Sequence, residues 1–78
     1  MLTDVQVKMA RAALGWGVRE LAAEAGLNPN TVMRFEHGGG VQASTVEKLE
    51  RALEAAGVVF IDSDNGGPGV RLKSGQVG

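Results

Sequence analysis

The chain contains no cysteine and no tyrosine, and only 4% of its residues are aromatic. Without thiols there are no disulfide staples, thiolate zinc sites or cysteine nucleophiles, and a reducing compartment is permitted. The scarcity of rings argues against a platform for single-stranded nucleic acid, where bases stack on aromatic side chains. No apolar run approaches the roughly 20 residues of a membrane span. Met1 leads into a capped amphipathic pattern instead of a charged and then apolar leader, so the expectation is a cytoplasmic protein with no membrane attachment. Cations are not in excess either: eight Lys and Arg stand against nine Asp and Glu, for a net charge of -1. Phosphate contacts draw mainly on Lys and Arg, so affinity for a polyanion has to come from the local placement of these few.

What is present is enough for one small domain. At 78 residues the chain is near the size at which a single core holds without metals, disulfides or a partner, which makes a second subunit an expectation. Thr3-Asp4-Val5-Gln6 has the form of a capping box and starts a helix. Val5, Met9, Ala12, Ala13 and Trp16 recur at helical spacing, which predicts the buried stripe of a helix over about residues 4–14, ended by Gly15. Trp16 continues that stripe and reads as a core plug.

A second, short helix is predicted over residues 18–25, with Val18, Leu21, Ala22 and Ala25 on one face and Arg19, Glu20 and Glu24 on the other. Gly26 stops it. Asn28-Pro29 then supplies an N-cap and a proline at the first helical position, where no amide is needed. In this third helix Val32 and Phe35 point inward and Leu27 staples the entry, leaving Pro29, Asn30, Thr31, Met33 and Arg34 on the outer or leading surface. Two helices of about two turns, joined by a tight glycine turn and buttressed by a preceding helix, form the helix-turn-helix pattern.

His37 and the three glycines after it end the third helix and open a connector through Ala43. Three glycines with no following GK[ST] do not make a phosphate loop, and His37 has no companions at metal-ligand spacing. Ser44-Thr45-Val46-Glu47 reads as another capping box, and Val46, Leu49, Leu53 and Ala56 as the stripe of a fourth helix ended by Gly57. Its charged residues, Glu47, Lys48, Glu50, Arg51 and Glu54, mark a solvated face. Residues 58–61 and 70–73 read as strands and 62–69 as turn chemistry, a β-hairpin with a loop of about eight residues. An isolated hairpin is marginal in water, so it should pack on the fourth helix or pair with a second chain. No paired nucleophile and base, histidine cluster or phosphate loop is present, and an enzyme is not expected.

Arg11, Glu20-Leu21-Ala22, Ala25-Gly26-Leu27 and Thr31-Val32-x-x-Phe35-Glu36-x-Gly38 together resemble the XRE or Cro-type helix-turn-helix family of bacterial and phage repressors, across residues 3–57. The resemblance implies a mainly α, four-helix, phage-repressor-like domain over residues 1–57, here followed by a C-terminal β-hairpin over 58–73 and a flexible tail over 74–78. It also implies sequence-specific binding of double-stranded DNA, with the third helix in the major groove and Pro29, Asn30, Thr31, Met33 and Arg34 reading bases. Asn suits adenine, Arg suits guanine, and the apolar surfaces of Pro29 and Met33 suit a thymine methyl. Arg11 and Glu36 occupy the positions of an internal ion pair in the family.

Two departures stand out. Val18 replaces the glutamine with which relatives open the second helix and hold a phosphate, and Gly39, Gly40 and Val41 replace basic loop residues. Phosphate contacts then fall to Lys8, Arg19, Gln42, Ser44 and Thr45 with the amide ends of helices two and four. So few cations point to a homodimer reading two half-sites about 34 Å apart, joined through Val59, Phe60, Ile61, Val70 and Leu72. No cofactor is implied. The alternative is a protein-interaction module on the same scaffold, an antitoxin or anti-activator whose partner is another protein.

Overall fold

The computed structural model describes residues 2–62 and 66–73. Four helices precede one hairpin: α1 (Asp4–Leu14), α2 (Val18–Ala25), α3 (Pro29–Glu36), α4 (Ala43–Ala55), β1 (Val58–Ile61) and β2 (Gly69–Leu72). The first three helices begin and end where local chemistry dictates. The Thr3 hydroxyl accepts from the Gln6 amide at 3.2 Å, and Gln6 Oε1 accepts from the Thr3 amide at 3.0 Å. Gly15 and Gly26 close α1 and α2 at φ 71° and 68°, left-handed values that a side chain would disfavour. Asn28 Oδ1 caps α3 by accepting from the Asn30 amide at 2.8 Å, and Pro29 is its first residue.

The core lies where the helices converge. Val7 and Ala10 from α1, Leu21 and Ala22 from α2, Val32 from α3, Leu49 and Leu53 from α4, and Val58 from β1 are all buried, joined by Leu2. Trp16 and Leu27 pack against this cluster, in the roles of plug and staple.

The inward face of α1 differs from the predicted stripe. Val5 is 48% exposed and Ala12 and Ala13 are exposed, while Gln6, Val7 and Ala10 are buried and Leu14 packs against the core. The stripe is rotated by polar groups that earn burial through partners. Gln6 Nε2 donates to the carbonyl oxygens of Ile61 and Gly69, each at 3.1 Å, so an amide shares the buried face with Val7 and Ala10.

The start of α4 is also corrected. Ala43 is already helical, so the connector ends one residue earlier, and the cap residue is Gln42, without a side-chain cap bond. Thr45 and Val46 donate their amides to the Gln42 carbonyl at 3.0 and 3.2 Å, which places Ser44 inside the first turn instead of at a cap.

The hairpin is antiparallel, pairing Val58 with Leu72, Val59 with Arg71, Phe60 with Val70 and Ile61 with Gly69. Strand β2 therefore begins at Gly69, one residue before the predicted start, and ends at Leu72. Side chains alternate: Val58, Phe60, Val70 and Leu72 pack on the core, while Ile61 and Arg71 are exposed on the other face with half-buried Val59. The sheet is supported from two directions, β2 on α1 and β1 on α4, so packing on α4 is only half of its attachment. The predicted flexible tail over 74–78 lies outside the described residues.

Candidate nucleic-acid interface

Helix α3 has eight residues, and their order sorts them by face. Val32 and Glu36 are buried and Phe35 is half-buried, so Asn30, Met33 and Arg34 stand on the opposite side, all exposed. Pro29 and Thr31 flank that row and are half-buried. His37, one turn beyond Met33, continues the row as an exposed residue, and its Nδ1 lies 2.7 Å from the Met33 carbonyl. The sequence predicts His37 as a solvated or phosphate-facing side chain and not a metal ligand, and steps of three and four from Asn30 place it on this face.

A clamp behind the row fixes α3 to α1. Arg11 Nε and Nη2 donate to Glu36 Oε2 and Oε1 at 2.6 and 2.8 Å, and Nη1 donates to the Trp16 carbonyl at 3.1 Å. Glu36 is 4% exposed and the Arg11 side chain 23%, so the internal ion pair expected at these positions has a buried carboxylate and a partly exposed guanidinium. The hydrogen bonds to Glu36, opposed by partial burial and aided by the carboxylate's charge, raise the Arg11 pKa above its ordinary value.

Open grooves run along both flanks of the row. One lies between α3 and the connector into α4, lined by Thr31, Arg34, Gly40, Val41, Gln42 and Thr45. The other lies between the leading ends of α2 and α3, where Val18, Arg19 and Glu20 face Pro29, Asn30 and Met33. All five expected base readers thus line one groove or the other. Of the expected phosphate contacts, Arg19, Gln42 and Thr45 also line them. Ser44 is exposed on the first turn of α4 and Lys8 on α1, and neither lines either groove.

Val18 and Glu20 are groove residues that sequence reading did not assign. Val18 was legible as a substitution at a phosphate position, but its contribution to an apolar floor beside Pro29 and Met33 depends on how α2 and α3 cross. Glu20 Oε1 accepts from the Gly17 amide at 2.8 Å, so this carboxylate caps the start of α2. Among the described residues no group of His, Asp and Glu is placed to hold a metal ion.

A family model described as helix-turn-helix matches residues 7–57, from within α1 to the residue before β1. No curated protein matches the chain.

Proposed function

The chain belongs to the XRE/Cro-type helix-turn-helix family of DNA-binding regulators, which are not enzymes, and we propose from this that α3 reads double-stranded DNA in the major groove. The exposed row of Asn30, Met33 and Arg34, flanked by two grooves, is the observation that carries the reading. Asn30 offers a paired donor and acceptor for adenine, Arg34 a fork for guanine, and Val18, Pro29 and Met33 an apolar surface for a thymine methyl, with Thr31 beside them. Arg19, Gln42, Thr45, Ser44 and Lys8 supply the phosphate contacts, helped by the leading ends of α2 and α4.

A net charge of -1 leaves one subunit poorly equipped to hold DNA, so the working form is a homodimer on two half-sites. Phe60, Val70 and Leu72 are engaged with their own core, which concentrates the self-contact on Val59 and Ile61, the latter 42% exposed. Ile61→Lys is expected to convert a dimer into a monomer in sedimentation velocity and to weaken binding to a two-half-site duplex. A wild-type chain that sediments as a monomer at high concentration rules out the dimer.

The reading itself is tested by selecting duplexes from a randomised library and measuring Asn30→Ala and Arg34→Ala on the enriched sequence. Each loses about 1–3 kcal/mol of discrimination, roughly 5- to 150-fold, with less change on a scrambled duplex. If the wild-type protein fails to bind any duplex at low salt, the acidic balance favours the second reading, a protein-interaction module.

A further inference from the structure

We propose that Gly39 is a positioning residue for Arg34, a role that rests on Arg34 being a DNA-reading side chain. Three glycines follow His37, and they are not equivalent. A methyl group on Gly40 would meet nothing within 4 Å, and one on Gly38 would only touch Asp4 Oδ2 at 4.0 Å. A methyl group on Gly39 would lie 2.6 Å from Arg34 Cγ, 2.9 Å from the Arg34 carbonyl oxygen and 3.4 Å from Cδ. Gly39 is not among the glycines at positive φ, so the backbone there is open to other residues and close approach alone excludes a side chain.

The Gly39 amide donates to the Arg34 carbonyl at 2.8 Å, which holds the two backbones together. The first carbons of the Arg34 side chain therefore lie against bare backbone, and Arg34 lines the groove with Thr31, Gln42 and Thr45. A long side chain held along its stem loses less freedom on binding, and its fork arrives already aimed. Any β-carbon at position 39 must displace either the stem or the carbonyl of Arg34, because close-packed atoms have no slack of that size.

The experiment compares the ratio of affinities for the enriched duplex and a scrambled duplex of the same composition. An unfolded fraction lowers both affinities equally, so the ratio reports aim and not stability. Gly39→Ala is expected to lower the ratio by roughly tenfold or more, at the same base pair to which Arg34→Ala becomes indifferent. Adding Gly39→Ala to Arg34→Ala has no further effect. A Gly39→Ala ratio equal to wild type overturns the proposal, as does an equal loss in the Arg34→Ala background or a chain with no folded fraction. If Arg34→Ala alone keeps the wild-type ratio, the reading of Arg34 fails first, and that single variant shows it.

Discussion

Arg11→Ala lowers the stability of the domain by about 3 kcal/mol, because it strands a carboxylate in the interior. The Glu36 side chain is 5% exposed and both of its oxygens are held by the Arg11 guanidinium, a two-pronged pair whose third arm reaches the Trp16 carbonyl. Small domains carry a total of roughly 5–15 kcal/mol, and each kcal/mol moves the melting midpoint by about 4–8 °C at this size. The midpoint should therefore fall by more than about 12 °C in a circular-dichroism melt, and an unchanged midpoint sinks the clamp. Arg11→Lys recovers only part of the loss, since an ammonium cannot present the same planar fork. Replacing both partners, Arg11→Met with Glu36→Leu, should cost far less than Arg11→Ala alone, because no buried charge is left unpaired.

The pH dependence of this pair has a definite sign. The Arg11 pKa is raised, so its contribution is complete below the unfolded value and is lost only as pH rises through the folded one, in strongly alkaline solution. From neutral pH to moderately alkaline pH, Arg11 titration contributes nothing to the difference between wild type and variant.

The second large effect is at Gln6. Its side chain is 2% exposed and donates to two hairpin carbonyls from the strand ends that flank the loop. Gln6→Ala leaves the Ile61 and Gly69 carbonyls without that donor and opens a space beneath them. The expected cost is about 2 kcal/mol, toward the lower end for two acceptors because one side of the sheet remains open to water. Native-state hydrogen exchange should show the hairpin amides losing protection before those of α2 and α3. Equal protection in variant and wild type would mean that apolar packing alone secures the hairpin.

Gln6 also marks the boundary of what could be read from the sequence. Helix ends were legible wherever the signal is local: Thr3 with Gln6, Asn28 with Pro29, and Gly15 and Gly26 after their helices each satisfy backbone groups within a few residues. The exposed row on α3 was legible because the inward packing of Val32 and Phe35 assigns the opposite face by helical geometry. The face of α1 was not, because two of its interior-directed residues are polar. Gln6 and Arg11 find their partners 55 and 25 residues away, and apolar periodicity counts neither. Ser44 misled for a related reason. Its sequence offered a good cap, but the chain entering α4 continues from the connector at Gln42, so the helix starts before the hydroxyl can serve. The special status of Gly39 among three glycines likewise depends on where the Arg34 carbonyl falls in space.

Helix α1 makes side-chain hydrogen bonds to two parts of the molecule that lie far apart in sequence. Gln6 grips the hairpin and Arg11 grips α3, five residues apart, or about 7.5 Å of rise along one rigid rod. The angle between the hairpin and α3 is consequently fixed by packed helices, α1 on one side and α4 through α2 on the other, and not by the connectors. In the proposed dimer through the hairpins, the two α3 helices keep a fixed phase. One added base pair between half-sites rotates one of them by roughly 35° about the DNA axis, given 10–10.5 base pairs per turn. A protein hinged at its linkers absorbs that rotation; this one has no hinge in the path, so it should tolerate a changed half-site and reject a changed spacing.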